Sequence, residues 1–444
     1  MRLSIVFQAF SLFCLFLFFL TAQGLSFTLD ECVDLALRKN PEMGKQQMNL
    51  EFSRAELSDQ KGQKLGRLNI VSTYTHYNLP RTLVPLTPGS IASNPTTVPT
   101  TEDLFVTGIS YEIELFTGFA QTRAIEVAVL QKELASATLK LSKEQLIYNV
   151  KTLYVNILSL QAQKKAQTDY VESLRQLYEQ ITDELQFGKK ALIDQLKAAA
   201  DLESARARQA QISANINILK ASLAGLLTLD QLPPLQDINL PTDSIHVVQN
   251  EFAEQLATSE RLRVARLTVH KNAKLADKAA AALYPQIALN AAYGQNFGPN
   301  DSSHPDNGNW NNQEVWQLGL SLKWNIFDFG STRSKINKAR FIEQQSRYEQ
   351  TQAELELKRA IKEAVTRINT TVSDYLSARS ERDMTQKTVA IEQVRFDKGA
   401  ASINDLLYSK ARNQLAESRF IAAGYAYKTA GFQLEYLLET GETR

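Results

Sequence analysis

Two stretches alternate apolar and polar positions with a period of two. In the first, Ile109, Tyr111, Ile113 and Leu115 alternate with Ser110, Glu112 and Glu114; in the second, Trp316, Leu318, Leu320, Leu322, Trp324 and Ile326 alternate with Gln317, Gly319, Ser321, Lys323 and Asn325. That period places one face of a strand in an apolar medium and the other in water. An ordinary sheet half-buried against helices would also alternate. These runs are longer than the usual strand of about 5–6 residues, however, and suit a tilted bilayer crossing. Trp316 and Trp324 fall near the two ends of the second pattern, where membrane-interface aromatics belong. Elsewhere the spacing is helical. Leu139, Leu146, Leu153 and Leu160 recur every seven residues, as do Leu134, Leu141, Tyr148, Val155 and Ala162. Two apolar seams on one helix predict neighbours on both sides.

The pattern occurs twice. Leu115/Ile326, Phe116/Phe327, Ile125/Ile336, Val150/Ile361, Gly188/Gly399, Asp194/Asp405 and Leu226/Leu437 match at a constant shift of 211. Before residue 78 the shift is 219, as in Leu37/Leu256, Leu68/Ile287, Ile70/Leu289 and Tyr74/Tyr293. The difference of eight is absorbed between 78 and 103, a segment rich in Pro, Thr and Ser, opposite a shorter one rich in Asn, Asp and Gly. Both segments read as loops, where insertions disturb no packing. The chain is therefore read as a tandem duplication. A first repeat, 25–228, carries a helix at 41–66, hairpin strands at 68–77 and 104–116, and helices at 118–187 and 191–228. A Pro-rich linker follows at 229–244. The second repeat, 245–444, carries a helix at 260–284, strands at 286–296 and 315–327, and helices at 330–397 and 401–439.

Four strands cannot close a membrane barrel, and open strand edges are not tolerated in lipid because unpaired amides find no water there. The chain is thus expected to share one barrel among several copies. The long helices, about 70 residues each, would span roughly 105 Å at 1.5 Å per residue. The two shorter helices of each repeat together nearly match that length, which suggests a helical cylinder continuing the barrel axis.

Composition narrows the function classes. Lys plus Arg number 49 and Asp plus Glu 48, so no net field draws nucleic acid or an anionic membrane. Residues 1–24 read as an export signal: Arg2, an apolar run to Leu20, then Ala22 and Gly24 before the cut. Cys14 lies in that run without a lipobox, which leaves Cys32 with no intramolecular partner. The four His, at 76, 246, 270 and 304, show no metal spacing, no P-loop is complete, and "NDSSHPDNG" at 300–308 reads as turns. No enzyme, metal site or cofactor is expected. An exported coiled-coil stalk is the alternative, but it explains the heptads and not the hairpins.

At this point the chain resembles the TolC family of outer-membrane channels. The resemblance is carried by "FTLDECVDLALRKNPEM" (27–43), "ALYPQIAL" (282–289), the strand exits "LFTGF" and "IFDFG", and "FDKGAASINDLL" (396–407). It implies a homotrimer with a twelve-stranded outer-membrane barrel, four strands per subunit, above a periplasmic tunnel of twelve helices. The implied function is the exit duct of a tripartite efflux pump or a type I secretion system. Its partners would be a periplasmic adaptor, an inner-membrane pump of proton-driven or ABC type, and outer-membrane lipid. The helix tips would be the gate. Asp405 matches the family's first constriction aspartate, Tyr408 falls on the second ring position, and Asp194 occupies the equivalent place in the first repeat. The arginine that would partner Asp194 falls on Ala401, so that link is expected to be absent or rebuilt with Lys189, Lys190 or Lys398. The turns at Gly188, Lys189 and Lys190 and at Lys398, Gly399 and Ala400 would meet the adaptor.

Overall fold

The computed structural model describes residues 26–93, 98–238, 252–299 and 310–441. The export signal, the end of the Pro-rich linker and the Asn/Asp-rich loop at 300–309 lie outside the described residues. Chain order runs α1 (Leu29–Lys39), α2 (Pro41–Gln63), β1 (Arg67–Thr82), α3 (Pro88–Ser93), β2 (Thr100–Phe116), α4 (Ala120–Gln186), α5 (Leu192–Leu227), α6 (Ala253–Thr258), α7 (Glu260–Ala280), a 3-10 turn (Ala281–Leu283), β3 (Gln286–Pro299), β4 (Trp310–Lys323), α8 (Ser331–Asp397) and α9 (Ile403–Leu438). The long helices begin at 120 and 331 and end at 186 and 397; the helices after them begin at 192 and 403 and end at 227 and 438. The shift of 211 is kept at every one of these bounds.

Backbone chemistry explains why the repeated phrase sits at the strand-to-helix step. Gly118 and Phe119 are both left-handed, with φ of 62° and 70°; Phe329 and Gly330 repeat this with 54° and 86°. A phenylalanine with positive φ is strained, and each repeat relieves one of the two positions with glycine. The helix beyond is capped by the residue just before the turn. The Gln121 amide donates to Thr117 Oγ1 at 3.2 Å, and the Thr332 amide donates to Asp328 Oδ2 at 2.8 Å.

The described chain forms two compact units, and each draws on both repeats. One holds Ala137–Arg263, the residues up to Gln47 and those from Gln352. Its buried positions obey the repeat: Leu146/Leu357, Val150/Ile361, Tyr154/Val365, Ile157/Ile368 and Leu223/Leu434 are all core. The Tyr154 hydroxyl lies 2.8 Å from the Phe27 carbonyl and 2.6 Å from that of Gln236, where Phe27 bridges to Leu235. This ties the N-terminal segment and the start of the linker to the middle of α4. Here α4 is covered on all sides, as its two seams require.

The second unit, Met48–Ser136 and Val264–Thr351, contains the sheet. Its order is β1-β2-β3-β4, every pair antiparallel, so the hairpins of the two repeats join through β2 and β3 and leave β1 and β4 as open edges. All four strands run further than their side chains suggest. β1 continues to Thr82, β2 starts at Thr100, β3 continues to Pro299, and β4 starts opposite it at Trp310. Ladder bonds are made by backbone and do not need alternation. Conversely β4 ends at Lys323 instead of 327: its last partner is Gln286, and Pro285 before it has no N–H to carry the ladder on. The helix at Pro88–Ser93 falls in a segment the pattern reads as a loop, and that at Ala253–Thr258 in a part of the second repeat to which it assigns no element.

Gly108 and Gly294 face each other at the joint between the hairpins. A Cβ on Gly294 would lie 2.3 Å from the Thr107 carbonyl oxygen and 2.8 Å from Gly108 Cα. Strands approach here more closely than side chains permit. Gly294→Ala is expected to destabilise the sheet by about 1–3 kcal/mol, as overpacking does. Gly319→Ala, where the nearest atom is 3.9 Å away, should leave it unchanged. Thermal melting followed at the β-sheet circular-dichroism band compares the two; equal melting would remove the close-approach role from the pair.

Candidate functional site

Register sorts the sheet into two faces, because cross-strand partners and alternate residues share a side. On one face lie the rows Leu68–Tyr111–Ala291–Leu318 and Ile70–Ile109–Tyr293–Trp316, with Ile113, Leu289 and Leu320 in the row below. Large apolar groups stand bare here: Ile70 is 85 % exposed, Trp316 71 % and Leu320 68 %. Toward the chain's hairpin loops, the next row is polar, Ser72–Thr107–Gln295–Glu314. Beyond it Tyr74, Phe105, Phe297 and Trp310 form an aromatic cluster with centroids 4.8 to 6.0 Å apart. At the helix end a second aromatic group gathers. Phe119 packs edge-on to Phe116 and Tyr284, and the Trp324 indole donates to the Leu283 carbonyl at 3.1 Å. From Trp316 to Trp324 a strand rising ~3.4 Å per residue and tilted ~40° climbs about 21 Å, close to the ~25 Å apolar band of outer-membrane barrels.

The opposite face is different. Its rows are Asn69–Ser110–Ala292–Gln317, Val71–Gly108–Gly294–Val315 and Thr73–Val106–Asn296–Gln313, with Arg67–Glu112–Asn290–Gly319 toward the helices. A hollow of about 390 Å³ lies among residues of all four strands on this side, with Val71, Ser110, Asn296 and Gln317 in its lining. The sheet therefore curls toward its polar face and away from its apolar one. Among the described residues no helix is long and apolar enough to cross a membrane; the sheet is the element with a lipid-matched surface.

The helix tips lie in the other unit. The Gly188 amide donates to Leu185 O and the Lys189 amide to Glu184 O, both at 2.9 Å. The Gly399 amide donates to Phe396 O at 2.9 Å and the Ala400 amide to Arg395 O at 2.7 Å. Both turns are thus Schellman caps with glycine in the left-handed position, φ 70° and 72°. They diverge at the next helix. Ser402 caps α9 in a capping box: its hydroxyl donates to Asp405 Oδ2 at 2.7 Å and accepts from the Asp405 amide at 3.3 Å. Ala191 precedes α5 and offers no side-chain cap. Asp405 is exposed, and the Ser402 hydroxyl, then the Ser402 amide, hold its carboxyl below the ordinary range. Tyr408, one turn on, is 67 % exposed, so Asp405 and Tyr408 share the open side of α9. Asp194 is half-buried on the first turn of α5.

Leu174 and Ile181 of α4, Leu202 of α5, Phe396 of α8 and Leu406 of α9 make the tip core. Ala401, the position the resemblance assigns to an arginine partner, packs against that core. A different contact joins the two turns: Lys190 Nζ lies 3.9 Å from the centroid of the Phe396 ring. Further up, Lys410 Nζ donates to Ser173 Oγ at 2.6 Å, and Gln414 Nε2 donates to Gln167 Oε1 at 2.9 Å. Burial pushes the Lys410 ammonium below its usual value. Of these, only Lys190 is singled out by sequence. The capping box "SIND" is legible as a Ser-x-x-Asp spacing; Lys410 and Gln167 carry no sequence signal, since their roles rest on the neighbour each meets. Among the described residues no cluster could hold a metal ion.

The outer membrane efflux protein family matches residues 32–228 and 253–439, nearly the whole of both repeats. The chain belongs to that family. Its members are channels of the outer membrane of Gram-negative bacteria, and this one shares their location and their efflux role. Among solved structures it is similar to CmeC, an outer membrane channel of Campylobacter jejuni, at 17 % identity and a TM-score of 0.79 over 93 % of this chain and 86 % of that one. Vibrio cholerae VceC aligns at 15 % identity and 0.75, covering 93 % and 96 %. The open state of the Neisseria gonorrhoeae MtrE channel aligns at 17 % and 0.72, covering 93 % and 89 %. At such identities the agreement is one of fold. No curated protein matches the sequence.

Two outcomes are expected at the tips of this efflux protein. Lys190→Ala should cost about 0.5–1 kcal/mol, the usual worth of an exposed cation–π contact, and raise hydrogen exchange of the 396–400 amides; unchanged exchange there would discount the contact. The Asp405 carboxyl is depressed in the folded state from a reference of 3.8. Its capping contribution is therefore complete above that reference and is lost as pH falls through the lower folded value. Exchange protection of the first turn of α9 should hold from neutral pH down to about 4 and fall below it, and Asp405→Asn should flatten that dependence.

Proposed function

We propose that three copies of this chain close a twelve-stranded barrel and form the passive exit duct of a tripartite efflux pump or a type I secretion system. The observation that carries the reading is the curled four-stranded sheet with one apolar face, one polar face and two unpaired edges. In lipid each unpaired backbone group costs several kcal/mol, so β1 of one copy must pair with β4 of another. The stripe of bare apolar residues on α8, which includes Phe341, Tyr348 and Leu355 at heptad spacing, supports the same assembly: the equivalent helix α4 is covered within its own chain, whereas α8 needs a neighbour. Eight strands, two copies, would leave little lumen beyond side chains; the resemblance to TolC channels favours three.

The duct extends through the periplasm and opens at its helix tips when a periplasmic adaptor engages the turns at Gly188–Lys190 and Lys398–Ala400. Asp405 and Tyr408 of three copies line the narrowest point, with Asp194 behind them. Lys190 on Phe396 takes the place of the polar link that Ala401 cannot make. Cargo choice belongs to the inner-membrane pump, proton-driven or ABC type. A carboxylate ring favours cations and binds multivalent blockers.

The mature protein extracted in detergent should run as a heat-stable trimer and conduct ions in planar bilayers. A chain that stays monomeric in water without detergent sinks the reading. Asp405→Ala is expected to weaken cation preference and multivalent block; unchanged selectivity would remove Asp405 from the pore. Crosslinking from Gly399→Cys should capture the adaptor.

A further inference from the structure

A groove of about 490 Å³ lies along α4, lined also by the start of α2 and by residues of α7 and α9. It is built within one chain and one compact unit, so it does not depend on how copies assemble. Met43, Leu141, Leu146 and Leu226 give it an apolar floor. Arg261 lines it as well, with its guanidinium 4.2 Å from the centroid of the Tyr436 ring. Tyr436 is itself fixed: its ring stacks on Tyr148 with centroids 5.0 Å apart, and its hydroxyl donates to Gln145 Oε1. Gln145 in turn donates to Asn149 Oδ1 at 2.9 Å. The guanidinium is thus held by its face, and its Nε is buried with no hydrogen-bond partner. Glu439 Oε1 is 3.8 Å away, beyond hydrogen-bond reach. That carboxylate already accepts from Ser259 Oγ, the Glu260 amide and the Arg261 amide at 2.9, 2.6 and 3.1 Å. Glu42, the other charged residue of the lining, is engaged by Gln46 Nε2 at 2.8 Å and Lys45 Nζ at 3.5 Å.

We infer that this groove is a binding site for amphiphilic organic anions, which lay an apolar body on the floor and set a carboxylate or sulfonate head on Arg261. Its volume is that of a small-molecule site, and such sites are mostly apolar with a few polar groups that fix orientation. The physical reason for the sign is the unused donor. A cationic side chain drawn partly out of water without an acceptor is costly, and an anionic head supplies the acceptor through charge-assisted hydrogen bonds. A cationic head would meet like charge at Arg261 and find the carboxylates of Glu42 and Glu439 taken. An uncharged alcohol would gain the floor alone. The site does not rest on the duct reading.

Full-length protein in lipid nanodiscs, dialysed to equilibrium against octanesulfonate, octylammonium or octanol, tests this, with empty nanodiscs giving the lipid background. Octanesulfonate should bind saturably, one per chain; octanol should bind more weakly, and octylammonium should show no saturable binding. Arg261→Gln should weaken octanesulfonate by about tenfold or more, the usual worth of a hydrogen bond to a charged group, and leave octanol unchanged, which reports that the floor is intact. Arg261→Lys, which keeps the charge, should lose less. Ser142→Trp, which fills the groove from α4, should abolish binding of both. Octanesulfonate binding no greater than in empty nanodiscs, equal in Arg261→Gln, undiminished in Ser142→Trp, or matched by octylammonium overturns the inference. Ion conductance without such binding overturns it while the duct reading stands; binding by a protein that does not conduct upholds the site and overturns the duct.

Discussion

In the hydrocarbon of a bilayer a backbone amide has no water to bond, so every N–H and C=O must find a partner within protein. This requirement shapes the chain more than any side chain does. It explains a sheet of only four strands with both edges bare, a length of strand well beyond what water-soluble sheets use, and the joining of two hairpins from distant parts of the sequence into one continuous ladder. It also explains the duplication. A unit that supplies one hairpin and the helices behind it can be repeated along the chain, and the two hairpins join through β2 and β3.

The two repeats are alike where backbone geometry is demanding and unlike where neighbours differ. The strand-to-helix turns keep two consecutive left-handed residues, and both tip turns keep a glycine Schellman cap. Buried positions such as Val150 and Ile361 answer one another. In contrast the long helices have different surroundings: α4 is enclosed within its own chain, and α8 carries a stripe of bare apolar residues. The first tip starts its helix with an uncapped alanine, and the second with a Ser–Asp capping box. These differences set the two tips apart. Asp405 and Tyr408 stand on the open side of the capped helix, whereas Asp194 is half-buried on the uncapped one.

Around this frame the electrostatics are local. Near-equal numbers of positive and negative residues leave no long-range field. In the sheet Arg67 stands directly opposite Glu112, and the three rows beyond them on that face, from Asn69 to Thr73, hold no ionisable side chain. At the tips, hydrogen bonds from the Ser402 hydroxyl and amide hold the Asp405 carboxyl below its ordinary range. The lysine that joins the two turns does so through an aromatic ring, which leaves no carboxylate neutralised in the process.

Much of this was legible in the chain alone. Period-two alternation told which strand face is apolar, since that pattern depends only on pleat geometry. Constant shifts of 211 and 219 gave the duplication, and helix lengths followed because the signals that start and stop helices are local. Strand ends were less legible: β4 reaches back to Trp310 through backbone bonds that polar residues make as readily as apolar ones, and stops at Lys323 for want of an N–H on Pro285. Only the tertiary structure could bring Lys190 to Phe396, Lys410 to Ser173 and Gly108 to Gly294. Such pairs are separated by 186 to 237 residues, and nothing in a residue's own identity records which surface the fold will lay against it. Local periodicity is written in neighbouring residues, but partner choice depends on the summed packing of all the elements at once.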